Sequence, residues 1–218
     1  MDSLAAQIAR AKDFQTKKEY GKALTLADSI LKKFPGQLDA IGLKADIFKE
    51  QGRKDEALAL LEKAYELQPR DKETAYNLAF EYADAKSPKA LPLTDTLIKY
   101  DKTETVARAW YIKATYYNNV GNEKEALRYY DSSNVADYNF LDAYLDKGQL
   151  LLKQKKYEQA LRTFATGQKF SPGTAEFYFW VGKTQEAMGN KQDAKTNYER
   201  AYSLDKTWTE AKEAAEKL

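Results

Sequence analysis

Small residues recur along this chain at an interval close to 34. Ala23, Ala57, Ala90, Ala126, Ala160 and Ala194 are separated by 34, 33, 36, 34 and 34 positions. Ala11, Ala45, Ala79, Ala114, Gly148 and Gly182 are separated by 34, 34, 35, 34 and 34. Two ladders with one period make the chain a stack of similar units, and a period of about 20–50 residues is the mark of repeat architectures. Large residues keep fixed offsets from the small ones. Phe14, Phe48, Tyr82, Tyr117 and Leu151 follow the second ladder by three positions, until Gln185 breaks the series. Ile41, Ala75, Trp110, Tyr144 and Tyr178 precede it by four. Offsets of three and four gather residues on one face of a helix. The small residue lets a second helix approach and the aromatic fills the remaining gap, so Phe14, Phe48, Tyr82, Trp110, Tyr117 and Phe164 read as core.

The punctuation between elements suits helices. Five prolines and ten glycines in 218 residues are too few for the many turns of a sandwich or barrel. Pro35, Pro69 and Pro172 each close a unit, and Gly52, Gly121 and Gly189 mark turns inside units. A single helix pair cannot bury its apolar face alone, so stacking neighbours must supply the core.

Held in register through six copies, these positions resemble the tetratricopeptide repeat family over about residues 4–208. The resemblance implies an all-α fold, a right-handed α-solenoid (superhelix) of antiparallel helix pairs. One solenoid domain over 1–218 is expected, with repeats at 4–37, 38–71, 72–104, 107–140, 141–174 and 175–208. A polar capping helix is expected over 207–218. Repeat three departs from the pattern. Its turn "DAKSPKALPL" is one residue short, Lys102 replaces the closing proline, and two extra residues precede repeat four. Pro88 suits the start of a helix, whereas Pro92 is expected about one turn in. Either a late helix start absorbs the change, or the array alters its pitch and halves near residue 100.

Composition removes several chemistries. With neither Cys nor His, the chain lacks thiolate nucleophiles, disulfides, structural zinc ligands and the usual proton shuttle. No cofactor or metal is expected. Carboxylates are interspersed with Lys and Arg, as in "GRKDEALALLEK", where such pairs support helices. No Gly-x-Ser-x-Gly, Ser-x-x-Lys or phosphate loop occurs, so the chain does not read as an enzyme. Thirty-five basic and 33 acidic residues, mixed throughout, provide no basic face for nucleic acid. That balance, the 34-residue period and the aspartates also set the chain apart from pentatricopeptide RNA binders. No apolar run reaches the roughly 18 residues of a transmembrane helix.

In the family, first helices line the concave side of the superhelix. By register, repeats one and two offer Lys12, Gln15, Asp39, Gly42, Asp46 and Lys49. From repeat three the expected surface changes to Tyr76, Asn77, Phe80, Tyr111, Thr115, Asn118, Leu145, Gln149, Leu152, Phe179 and Lys183. Aromatics supply apolar area and amides satisfy a peptide backbone, so the expected partner is a peptide or protein segment. Packing between adjacent first helices is the competing reading of the same residues. A clamp for the C-terminal carboxylate of heat-shock chaperones is not expected. Gly42, Asp46 and Ile112 stand where that clamp needs Lys, Asn and a further cation, and only Asn77 and Arg108 match.

The leading expectation is therefore a non-catalytic, monomeric interaction scaffold. The alternative is a self-associating structural subunit that uses this surface or the Tyr138–Phe140 loop edge. As written, without a signal-peptide pattern, the chain reads as cytoplasmic. Its lack of cysteine also resembles the mature part of a bacterial envelope lipoprotein whose leader has been removed.

Overall fold

The computed structural model describes residues 2–102 and 105–218, so the expected end of repeat three at 103–104 lies outside the described residues. Among the described residues there are thirteen α-helices and no strand. They are α1 (Leu4–Thr16), α2 (Tyr20–Lys33), α3 (Leu38–Glu50), α4 (Lys54–Leu67), α5 (Lys72–Asp84) and α6 (Ala90–Tyr100). These are followed by α7 (Val106–Asn119), α8 (Glu123–Ala136), α9 (Leu141–Lys153), α10 (Tyr157–Phe170), α11 (Ala175–Ala187), α12 (Lys191–Leu204) and α13 (Thr209–Glu216). The chain forms two compact units, residues 1–97 and 98–218. In the first, α1 packs on α2, α3 on α4, and α2 and α4 each on the next helix. In the second, the pairs are α7–α8, α9–α10 and α11–α12, linked through α8–α9 and α10–α11, with α13 laid on α12.

All twelve ladder positions are buried. Two of them are glycine for a steric reason. A methyl group on Gly148 would lie 2.2 Å from the Phe164 ring, and one on Gly182 would lie 2.9 Å from the Tyr198 ring. Alanine suffices elsewhere, but these two first helices press directly on an aromatic of the second helix.

The turn inside each pair has one conformation. Lys18, Gly52, Lys86, Gly121, Lys155 and Gly189 all have positive φ, from 56° to 85°. The next residue donates its N–H five positions back, to Phe14, Phe48, Tyr82, Tyr117, Leu151 and Gln185. This Schellman arrangement satisfies carbonyls left over at the helix end. The aromatic ladder thus also supplies the acceptors of the turn. Three of the six turns place lysine where glycine is the unstrained choice.

Repeat three absorbs its irregularity at α6. The other second helices begin two residues after the positive-φ residue, whereas α6 begins four after Lys86. Pro88 precedes the helix and Pro92 is its third residue. Pro92 therefore lies within the first turn, where its missing N–H forfeits no bond. Buried Thr94 turns its hydroxyl back to the carbonyls of Ala90 and Leu91, both at 2.9 Å.

Candidate functional site

In the second unit, α7 and α9 stand side by side with α8 behind them, and Trp180 of α11 reaches the same opening. The core beneath is aromatic. Tyr129 stacks on Trp110 at 5.7 Å and on Tyr117 at 5.4 Å, and Tyr111 packs against Phe140 at 5.2 Å and Tyr130 at 6.0 Å. Of these rings Tyr129 and Tyr130 are buried, each contributing roughly 1.5–3 kcal/mol, and the others are partly buried against them.

The opening is a cleft of 450 Å³. Four residues expected from the sequence line it: Thr115, Asn118, Gln149 and Leu152. With them stand Asn119, Tyr130, Asp146, Leu150, Lys153 and Trp180, which the sequence did not single out. The Tyr111 hydroxyl donates to Asp146 Oδ2 at 2.8 Å, and the Tyr130 hydroxyl stands 3.5 Å from the same oxygen. Desolvation raises the Asp146 carboxyl above its ordinary value, the Tyr111 hydrogen bond pulls it down, and the nearby Asp142 charge raises it further. Both phenols are raised, first by burial and then by the Asp146 charge. Thr115 and Asn118, beside the Tyr130 hydroxyl, act in the opposite direction. The Thr115 hydroxyl is itself returned to the Tyr111 carbonyl at 3.0 Å. Lys153 pairs with Glu123 at 3.0 Å, which offsets its charge within the cleft.

The other expected residues lie elsewhere. Tyr76 and Phe179 are each 2% exposed and belong to the packing, which removes them as ring anchors at a surface. Phe179 is covered by Trp208 at 4.5 Å and by Tyr198 at 5.5 Å. Leu145 is half-buried against the cluster of Tyr144, Leu151, Ala160, Phe164 and Phe177. Phe80 is half-buried. Lys183 extends over the Phe179 ring at 5.2 Å and pairs with Glu210 at 3.5 Å.

Asn77 joins a different cleft, in the first unit. This one measures 690 Å³ and is lined by Lys12, Gln15, Asp39, Gly42 and Asp46 among others. Part of its charge is matched within the unit, and Asp46, whose carboxyl desolvation raises, has the Lys49 and Lys12 charges acting to lower it. Lys12 meets Asp39 at 3.1 Å, and Gln15 and Tyr20 both donate to Glu50, at 2.9 and 2.5 Å. Lys49 is tied to the buried Glu81 at 2.6 Å. Among the described residues no group of His, Cys, Asp and Glu side chains is arranged to hold a metal ion. No described helix is long and apolar enough to cross a membrane.

Residues 13–91 match the family described as Psidin, N-terminal TPR repeats region. Residues 141–173 and 175–207 match that described as tetratricopeptide repeat. The anaphase-promoting complex subunit CDC16 of Saccharomyces cerevisiae is 25% identical over 175 residues, 79% of this chain and 20% of that protein. The chain spans between 10% and 32% of the length of the curated relatives it matches. Among solved structures, a tetratricopeptide repeat protein from Parabacteroides merdae superposes with a TM-score of 0.76 at 19% identity, covering 97% of this chain and 82% of that one. YrrB, a TPR protein with an unusual peptide-binding site, superposes with a TM-score of 0.55 at 19% identity, covering 88% and 98%. At these identities the likeness is one of fold.

Proposed function

Because the chain belongs to the tetratricopeptide repeat family, whose members mediate protein–protein interactions and assembly, we propose that it is a non-catalytic scaffold holding a protein segment in the α7–α9 cleft. Six repeats with the boundaries 4–37, 38–71, 72–104, 107–140, 141–174 and 175–208, capped by 207–218, are the proposed frame. The observation that carries the reading is the lining of the cleft. Amide side chains of Asn118 and Gln149 stand beside Leu152 and Trp180 over an aromatic floor. Amides pair with the N–H and C=O of an extended or helical segment, and the apolar groups take its side chains. Tyr111 acts from below by holding Asp146. Asn77 and Phe80 of the first unit, with Leu145 and Lys183 at the margins of the second, are secondary contacts in this reading. YrrB, by its description, has a peptide-binding site on the same fold, and CDC16 is by name a subunit of a complex.

The test uses an array of randomised peptides with the whole chain as the probe. The double variant Asn118→Ala/Gln149→Ala should lose most bound peptides by about tenfold or more, since a few residues carry most interface energy. Lys12→Ala, in the first unit, should leave them unchanged. Peptides that bind the folded double variant as they bind the wild type would eliminate the α7–α9 cleft.

A self-associating subunit is the second reading, favoured by one patch. Val135 is 87% exposed, Tyr138 59% and Phe170 40%, with the two rings 5.1 Å apart. Light scattering across concentrations decides this. A mass rising with concentration, and lowered by Tyr138→Ser, would support self-association over a monomeric scaffold.

A further inference from the structure

Several charges in the second unit are paired on its own surface. Asp131 is paired with Lys147, Glu123 with Lys153, Glu125 with Arg128, and Lys183 with Glu210. Some aromatic rings are topped by a cation from the chain itself, as Tyr129 is by Arg128 at 4.6 Å and Tyr202 by Lys206 at 4.6 Å. Two groups of the α7–α9 cleft have no such cation of their own. Asp146 is met by phenols and, among the described residues, by no Lys or Arg. Both phenols use Oδ2, which leaves Oδ1 with no hydrogen-bond donor among the described residues. Trp180 touches Phe179 edge-on at 5.6 Å and carries no cation over its ring among the described residues. One turn before Asp146 on α9, exposed Asp142 makes no ion pair among the described residues, and its charge adds to the same field. Asp146 and Asp142 therefore bring negative charge to this cleft without an ion-pair partner among the described residues, Lys153 of the lining being taken up by Glu123.

We propose that the α7–α9 cleft receives a basic side chain, lysine or arginine, of the bound protein segment. Asp146 is its ion-pair partner and Trp180 its aromatic wall. The inference rests on the peptide-binding reading above and gives that segment its chemistry. Three features favour a cation over the other groups a segment can offer. An acidic side chain meets Asp146 and Asp142 and is repelled, since like charges placed together cost several kcal/mol. A neutral polar side chain leaves a partly desolvated carboxylate without its counter-charge. A cation recovers the desolvation already imposed on Asp146 and gains attraction from the indole face, where ammonium and guanidinium groups are held most strongly. Tyr111 and Tyr130 donate to the carboxylate from behind, which orients Oδ1 without neutralising it. They are positioning residues.

The experiment starts from the peptides that the whole chain retains on the randomised array. In each, lysine is replaced by norleucine and arginine by citrulline, which keep the aliphatic stem of the side chain and remove its charge. The retained peptides should share a basic position, and neutralising it should weaken binding to the wild type by about tenfold. Asp146→Asn, which still accepts the Tyr111 hydrogen bond, should weaken the basic peptides by about the same factor and be indifferent to their neutralisation. Asp142→Asn, on the exposed surface, should weaken them by about twofold and provides a second variant should Asp146→Asn fail to fold. Suppose peptides are lost by Asn118→Ala/Gln149→Ala but indifferent to norleucine, citrulline and Asp142→Asn or Asp146→Asn. The cation site is then overturned while the cleft survives. Peptides indifferent to every one of these changes overturn the cleft as well, and an array that retains nothing overturns both.

Discussion

In the unit spanning 1–97, Lys12 meets Asp39 at 3.1 Å, Lys44 meets Asp28 at 2.6 Å, Lys49 meets Glu81 at 2.6 Å and Lys54 meets Asp84 at 2.7 Å. In the unit spanning 98–218, the cleft carboxylate Asp146 meets two phenols and, among the described residues, no cation, and the floor beneath it is a stack of rings. The same repeat frame supports both. Positions that face a partner helix are small or aromatic in each unit, because packing dictates them. Positions on the open face of the first helices are released from that constraint. Both units pair charges, but Asp46 of the first has Lys49 and Lys12 acting on it, whereas Asp146 of the second has no cation acting on it among the described residues. A surface that has already matched its charges has little to gain from a ligand, which is why the proposed binding face is the one in the second unit.

The comparison assumes an equivalent frame, and the largest effect tests that assumption. Ala45→Trp in the first unit and Ala114→Trp in the second each force an indole into a site that is at most 1% exposed. Each should destabilise by about 3 kcal/mol, measured by urea unfolding of the whole chain, since overpacking displaces backbone as well as side chains. If one variant unfolds like the wild type, the two ladders are not the same packing seam and the comparison loses its basis.

The next effect belongs to the first unit. Lys49→Met keeps the apolar stem and removes the charge opposite Glu81, whose side chain is 8% exposed. Leaving that carboxylate unpaired should cost about 2 kcal/mol, discounted for the partial exposure of Lys49. Adding Glu81→Gln should recover much of the loss. Equal stability of Lys49→Met and wild type would show that the pairing is incidental, and with it the claim that this unit satisfies itself.

The turns test the frame at smaller scale. Gly121 has a φ of 83° and Lys155 one of 58° at equivalent positions. Gly121→Ala should destabilise by about 1 kcal/mol, whereas Lys155→Gly should stabilise by about 0.5 kcal/mol, strain relief outweighing the added freedom of the unfolded chain. Thermal melts read both. Matching signs for the two would mean that the turns are not held alike.

How far the sequence foretold these features follows the same division. The ladders were legible because a helix seam tolerates only small residues, and Ala11, Ala45, Ala79 and Ala114 are such residues. The left-handed turn was legible at Gly52, Gly121 and Gly189 and hidden at Lys18, Lys86 and Lys155, where the hydrogen bonds of the turn override the residue's preference. On the open face, Thr115, Asn118, Gln149 and Leu152, chosen by register, line one cleft between α7 and α9. Register could not separate Phe179 from them, since burial there comes from Trp208, a residue beyond the next helix. Asp146 had a signal that went unread. It stands two before the small residue, where the other five repeats have Ala9, Leu43, Asn77, Ile112 and Trp180. A lone charge at a position otherwise apolar or amide is what its environment must accommodate.

The smallest effect concerns that residue and has the opposite sign to Lys49→Met. Desolvation raises the Asp146 carboxyl in the folded chain, despite the Tyr111 hydrogen bond that lowers it. Between the ordinary carboxylate value and the raised one, the folded state holds the proton that the unfolded state has released. Stability from this group therefore falls as pH rises through that interval, and the penalty is complete above it. Asp146→Asn retains the acceptor for Tyr111 and never ionises. At pH 7.5 it should melt up to about 2 °C higher than wild type, and at pH 4 the two should converge. A functional group held at a stability cost has this signature, because its compensation arrives with the ligand. If Asp146→Asn is instead destabilised at pH 7.5, by as much as Lys49→Met, the carboxylate is already satisfied by its phenols. The second unit would then be as closed to a cation as the first.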